Sequence, residues 1–168
     1  MKNEYTLFKH IALNGLNTLT HIINKAKESG IAEVELVNAK LAGDMFDFKR
    51  QVQIFTDNCK GAVTRFTQTE NPKYEDNETT FDELLARVAK TKMFIESIGD
   101  EKFAGAENLK IKLPWMPEGK YFKASDYAQN FVIQNTLFHL VTAYDILRNQ
   151  GVNLGKTDYI GSIEMQTE

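Results

Sequence analysis

Apolar residues in this chain return at steps of three and four, and that spacing confines the fold more than any other feature. An α-helix completes a turn in 3.6 residues, so such steps collect the apolar side chains into one stripe that must be buried. From about Lys2 to Glu28 the stripe is Tyr5, Phe8, Ala12, Leu16, Leu19, Ile23 and Ala26, and Ser29-Gly30 ends it. A second stripe, Met45, Phe48, Val52, Phe55, Cys59, Ala62 and Phe66, alternates three and four residues apart as the seams of antiparallel bundles do. It predicts a helix over about 44–67, capped by Asp44 after Gly43 and preceded by a short helical turn from Val34 to Leu41. Phe81, Leu84, Leu85, Val88, Met93, Ile95 and Ile98 predict a third helix over about 79–98. A fourth, over about 125–149, is capped by Ser125 or Asp126 and stops before Gly151.

Between helices three and four the period changes. Leu109, Ile111 and Leu113 alternate with polar residues, the run from Pro114 to Gly119 reads as a turn, and Tyr121 and Phe122 follow. This predicts a small β-hairpin over about 109–123. Thr69 to Asn77, polar and carrying Pro72, reads as a loop, and the tail from Gly151 to Glu168 is expected to cross the surface. A chain of 168 residues can bury roughly 70% of its unfolded surface around one core. The expected fold is therefore all-α: a single domain over 1–168, built as an antiparallel up-down four-helix bundle with the hairpin between helices three and four.

Charge and cysteine usage narrow the partners. The net charge is -3 and the basic residues are scattered, so neither nucleic acid nor an anionic membrane is an expected partner. No apolar run approaches the ~18 residues of a membrane span, and Met1 to Lys9 do not read as a leader, so the expected location is cytoplasmic. Cys59 is the only cysteine, which rules out an intrachain disulfide and cysteine-rich metal motifs. It also sits in an apolar seam, where a thiol is inert. No Gly-x-Ser-x-Gly turn is present, and the run from Gly151 to Lys156 follows a helix and lacks the strand that precedes a phosphate-binding loop.

A few polar residues lie off the solvated faces. His10, Asn14, Asn17 and His21 form a line opposite the first stripe and are expected in water, and Asp57 with Lys60 is expected as an exposed ion pair. Asp44, Gln51 and Asn58 recur every seven residues beside the second seam. His139, with Asn135 one turn before it, shares an edge with Val132 and Ile146 and looks into the bundle or its rim. A buried neutral imidazole either hydrogen-bonds on both nitrogens or serves as a ligand, and both uses are open to His139.

The runs from Leu41 to Phe46, Gln51 to Gln53, Phe131 to Asn135, Phe138-His139, Thr142 to Tyr144, Ile146 to Arg148 and Gly151 to Gly161 resemble a bacterial and fungal domain-of-unknown-function family. That family belongs to the DinB/YfiT-like superfamily of metalloenzymes. The resemblance covers nearly the whole chain and implies the same up-down bundle. It also implies a divalent metal, nickel or zinc, held by one histidine on the second helix and two on the last, four residues apart. In this sequence His139 matches one last-helix ligand, Asn135 and Ala143 stand four residues before and after it, and the second helix has no histidine. The triad is incomplete, with His139 its only ligand. Some superfamily members are thiol-dependent transferases.

Two readings follow, and the residues leave open whether the protein is an enzyme. In the first, it binds a small molecule, as a transferase or hydrolase, in a cleft lined by Asp44, Gln51, Asn135, His139 and Tyr144, with His139 as acid/base or ligand. In the second, it is a non-enzymatic stress or interaction protein, a homodimer packed through a helix face. A cleft reaching His139 favours the first; an imidazole bonded on both sides favours the second.

Overall fold

The computed structural model describes residues 3–163 and 165–167. Met1 and Lys2, at the expected start of helix one, and Glu164 and Glu168 of the tail lie outside the described residues. Among the described residues the chain is mainly α-helical, with a two-stranded sheet of two residues per strand. No helix among them is long and apolar enough to cross a membrane.

α1 (Glu4–Lys27) opens on a capping box in which the Asn3 side chain accepts from the Thr6 N–H and Thr6 Oγ1 accepts from the Asn3 N–H, both at 3.1 Å. A short α2 (Glu33–Asn38) follows. α3 (Phe48–Thr67) starts later than the sequence reading expects, because Asp47 and not Asp44 caps it: Asp47 Oδ1 accepts from the Arg50 N–H at 3.0 Å. Residues 42–45 instead form a turn, closed by the Met45 N–H on the Ala42 carbonyl. Asp47 directly precedes Phe48, the first fully buried residue of the stripe, so capping there starts the helix on its apolar face. α4 (Phe81–Glu96) opens on a Thr80/Glu83 capping box, and Glu33 of α2 also accepts from the Phe81 N–H. Met93 lies on its exposed side, two residues from both Thr91 and Ile95, which are buried.

Strands β1 (Lys110–Ile111) and β2 (Phe122–Lys123) pair antiparallel, Lys110 opposite Lys123 and Ile111 opposite Phe122. Two residues per strand are too few to stand alone. Ring contacts anchor them: Phe122 meets Phe131 at 5.8 Å and Tyr127 at 6.2 Å, and Tyr127 meets Phe66 at 5.6 Å. Helical structure resumes directly from β2, as α5 (Ala124–Tyr127), a π-helical turn (Ala128–Val132) and α6 (Ile133–Asn149). Neither Ser125 nor Asp126 caps this run, contrary to expectation. The Ala124 N–H donates to the Leu109 carbonyl beside the strands, so the helix grows out of the sheet. The tail folds one more helix, α7 (Lys156–Ile160), against α1.

α1, α3, α4 and α6 share one continuous apolar core, and the heaviest packing runs between α3 and α6. Gly15 makes the close approach of α1 possible: a Cβ there would meet Phe55 Cζ at 2.5 Å and Leu140 Cδ2 at 3.1 Å. The opposite side of α3 is fixed by Arg87 of α4, whose side chain is 2% exposed. Its Nε donates to Thr56 Oγ1 at 2.6 Å, its Nη2 to Asp57 at 2.8 Å, and its Nη1 to Glu78 at 3.0 Å, with Asp76 2.8 Å from Nη1. Burial alone would raise the Asp76 carboxyl, yet the hydrogen bonds and charges of Arg50 and Arg87 hold it below the usual carboxylate range. Lys60, Arg87 and Lys90 all face the Tyr74 ring within 4.8 Å. This cluster holds the irregular segment 68–80 onto α3 and α4. It also corrects the expectation for Asp57 and Lys60: they do pair, at 3.1 Å, but Lys60 is buried and Asp57 is shared with Arg87.

Removing Arg87 opens a buried gap and takes the shared guanidinium from Asp57, Asp76 and Glu78, which keep only Lys60, Arg50 and Gln53 respectively. Arg87→Ala is expected to cost about 3 kcal/mol in urea denaturation, and Arg87→Lys to recover only part, because an ammonium cannot reproduce the guanidinium fork. A loss below about 0.5 kcal/mol, the size of an ordinary surface substitution, would show that the cluster contributes little.

Candidate functional site

The α3–α6 interface carries one polar contact that determines its own proton positions. Gln51 of α3 and His139 of α6 are both buried, with His139 Nδ1 2.7 Å from Gln51 Oε1. Gln51 Nε2 lies 3.1 Å from the carbonyl oxygen of Phe46. A carbonyl can only accept, so the amide nitrogen must face Phe46 and the amide oxygen must face His139. Nδ1 therefore carries the proton. Nε2 has no hydrogen-bond partner among the described residues and presents a lone pair.

Burial, with the nearby positive charge of Arg50 adding to it, pushes the His139 imidazole down to about 4. The ring is neutral at physiological pH. The Phe138 ring packs edge-on against it, centroids 5.3 Å apart, and Phe138 itself lines an open groove of about 750 Å³ along α6. Leu41, Met45, Phe131, Asn135 and Thr142 also line this groove. Neither His139 nor Gln51 is part of its lining.

Of the five residues expected to share a cleft, Gln51 and His139 are bonded together and Asn135 stands on the adjacent groove. Asp44 is exposed in the turn before α3 and lines neither site. Tyr144 faces the other way, its ring 5.8 Å from Tyr159 near the chain's C-terminal end. Asn58 has a buried Nδ2 with no partner among the described residues, and nothing in the structure explains it. The His10, Asn14, Asn17 and His21 line is exposed, as its position opposite the core requires, yet its members are not all solvated. Asn17 accepts from Lys92 at 2.8 Å, and His21 Nε2 lies 2.7 Å from Asp158 of α7. Sequence reasoning missed Asp158 and Arg87. Each acts across a long stretch of chain, with no local spacing to mark it.

The donor set does not fit the divalent metal that the resemblance implies. Among the described residues no group of three His, Cys, Asp or Glu side chains is arranged so that it could hold a metal ion. Gln51 spends its oxygen on His139 and its nitrogen on Phe46, which leaves His139 Nε2 as a single donor where a catalytic metal needs three. What the arrangement offers chemically is a neutral, oriented imidazole able to accept a proton.

Comparison with known proteins places these features in context. The family described as "Domain of unknown function (DUF1993)" matches residues 5–160. A crystal structure of a DinB family member protein from Shewanella denitrificans superposes with a TM-score of 0.90 at 34% identity, covering 99% of this chain and 100% of that one. No curated protein matches.

A histidine held neutral in the fold but free to protonate when unfolded costs stability in acid. Its folded pKa lies below the unfolded value of ~6.5, so the unfolded state takes up the proton first, and stability falls as pH drops from about 6.5 to about 4. His139→Gln is expected to flatten that part of the stability–pH profile in urea denaturation. His139→Ala, which leaves Gln51 unpaired, is expected to cost ~1 to 3 kcal/mol at pH 7.

Proposed function

Because the chain belongs to the DUF1993 family, a domain of unknown function, we propose its role from the site itself: a DinB-like protein that binds a small molecule in the α6 groove. Its chemistry is of the transferase or hydrolase type, without a metal; His139 does not line the groove, and it acts as proton acceptor only on a ligand that turns aside the Phe138 ring packed against it. The observation that carries this reading is the one-sided bonding of His139, with Nδ1 tied to Gln51 and Nε2 without a partner among the described residues. A purely structural buried imidazole satisfies both nitrogens. A general base must instead keep one lone pair free and unprotonated, and the depressed pKa serves that end. Gln51 is then a positioning residue, and Asn135 orients the ligand from the groove wall. The same reading takes residues 1–168 as a single domain, with α1, α3, α4 and α6 as an antiparallel up-down bundle and the paired strands as its insert. It takes the protein as cytoplasmic, a setting that suits one buried free thiol.

A second reading uses the same face. Phe138 is 55% exposed, and Leu41 and Val141 are each 40% exposed along one groove, an apolar surface that a homodimer would cover. In this reading the protein is an interaction protein.

Phe138→Lys separates the two. Ligand-detected NMR with small aromatic and thiol compounds is expected to show binding to wild type that this variant loses, while light scattering reports the same monomeric mass for both. For any compound turned over, His139→Gln is expected to lower kcat by ~10²- to 10⁴-fold while binding persists. A dimer that Phe138→Lys splits, with no compound bound to wild type, supports the interaction protein instead.

A further inference from the structure

An open cleft lies away from His139, where the C-terminal segment crosses α1. Asp158 of α7 is the point of attachment: its Oδ1 lies 2.7 Å from His21 Nε2 and 3.0 Å from Lys25 Nζ, and its Oδ2 accepts from the Gly155 N–H at 2.7 Å. Thr18 Oγ1 adds a bond to the Tyr159 carbonyl at 2.8 Å. These contacts hold the chain from Gly155 onward beside α1 and enclose about 810 Å³, within the ~300–1,000 Å³ of small-molecule sites.

The charges along this wall are paired with one another. The hydrogen bond from His21, then that from the Gly155 backbone and the Lys25 ammonium, holds the Asp158 carboxyl well below the usual carboxylate range, so it acts as an ionised acceptor. An ionised carboxylate can only accept, so His21 donates to it from Nε2, which leaves Nδ1 without a hydrogen-bond partner among the described residues on a side chain half exposed in the cleft wall. Lys92 occupies the Asn17 oxygen and leaves the Asn17 amide hydrogens to donate. Asn14, Thr157 and Ser162 line the cleft with no hydrogen-bond partner among the described residues, and Ile160 and Ile163 supply exposed apolar surface. The groups left for a ligand are thus carboxamides, hydroxyls and one imidazole nitrogen beside an apolar patch.

We propose that the cleft between α1 and the segment 157–163 is a second ligand site, independent of His139, that takes a neutral polyhydroxylated molecule of monosaccharide size. His21 Nδ1 pairs with a ligand hydroxyl, which can donate or accept, the amides of Asn14 and Asn17 donate to its oxygens, and Ile160 and Ile163 cover its C–H face. Asp158 positions His21 and does not touch the ligand.

The test is a ¹H–¹⁵N NMR titration of the full chain with glucose, ribose and glycerol, each over the same millimolar range. At least one is expected to shift resonances confined to residues 14–21 and 156–163. Asn14→Leu, at an exposed helix position where the fold is retained, is expected to weaken that binding about fivefold, the equivalent of one lost hydrogen bond. Phe138→Lys is expected to leave it unchanged. No shift with any of the three, shifts outside those segments, or an Asn14→Leu variant that binds as wild type would overturn the proposal.

Discussion

The hydrogen bond between His139 and Gln51 sets the character of the α3–α6 interface, and the functional reading depends on it. Among the described residues it is the one side-chain hydrogen bond between α3 and α6, the helices in most extensive contact, and it is directional. The Phe46 carbonyl fixes the Gln51 amide, the amide fixes the imidazole tautomer, and the tautomer decides which nitrogen is left with a lone pair. Burial then keeps that lone pair unprotonated. Each step follows from the one before, and the sequence starts at Phe46, in the turn just ahead of the Asp47 cap.

The rest of the structure holds α3 in place for that contact. Arg87 grips α3 from the side of α4 through Thr56 and Asp57, and ties in the segment 68–80 through Asp76 and Glu78. Gly15 lets α1 come close enough for Phe55 and Leu140 to pack across it. With α3 gripped by a buried guanidinium on one side and an apolar contact on another, the Gln51 side chain has little freedom to follow a rotated imidazole. That is the rigidity a positioning residue requires.

Much of the helical framework was legible in the sequence because it rests on local periodicity. Tyr5, Phe8, Ala12, Leu16, Leu19, Ile23 and Ala26 were read as one stripe and are all buried. The misses have a common cause. Asp44 and Asp47 are both competent caps three residues apart, and only the fit of Phe48 into the core chooses between them. Met93 was counted among the apolar residues that predict the third helix, although its angle puts it outside. For the site, Gln51 and His139 could each be placed at the edge of a seam, but their bond joins residues 88 positions apart, and no local spacing encodes it. Tyr144 was placed in the cleft, yet the helix turns it toward Tyr159. Asp158, in what read as a surface tail, acquired partners on α1 only through the folded path of the chain.

Long-range ¹H–¹⁵N correlation NMR of histidine-labelled protein tests the central claim most directly, because it reports which ring nitrogen carries the proton and the pH at which the second is taken up. The His139 signals should show a protonated Nδ1 and a bare Nε2, with charging delayed to about pH 4. A proton on Nε2, or an ordinary titration near pH ~6.5, would contradict the account.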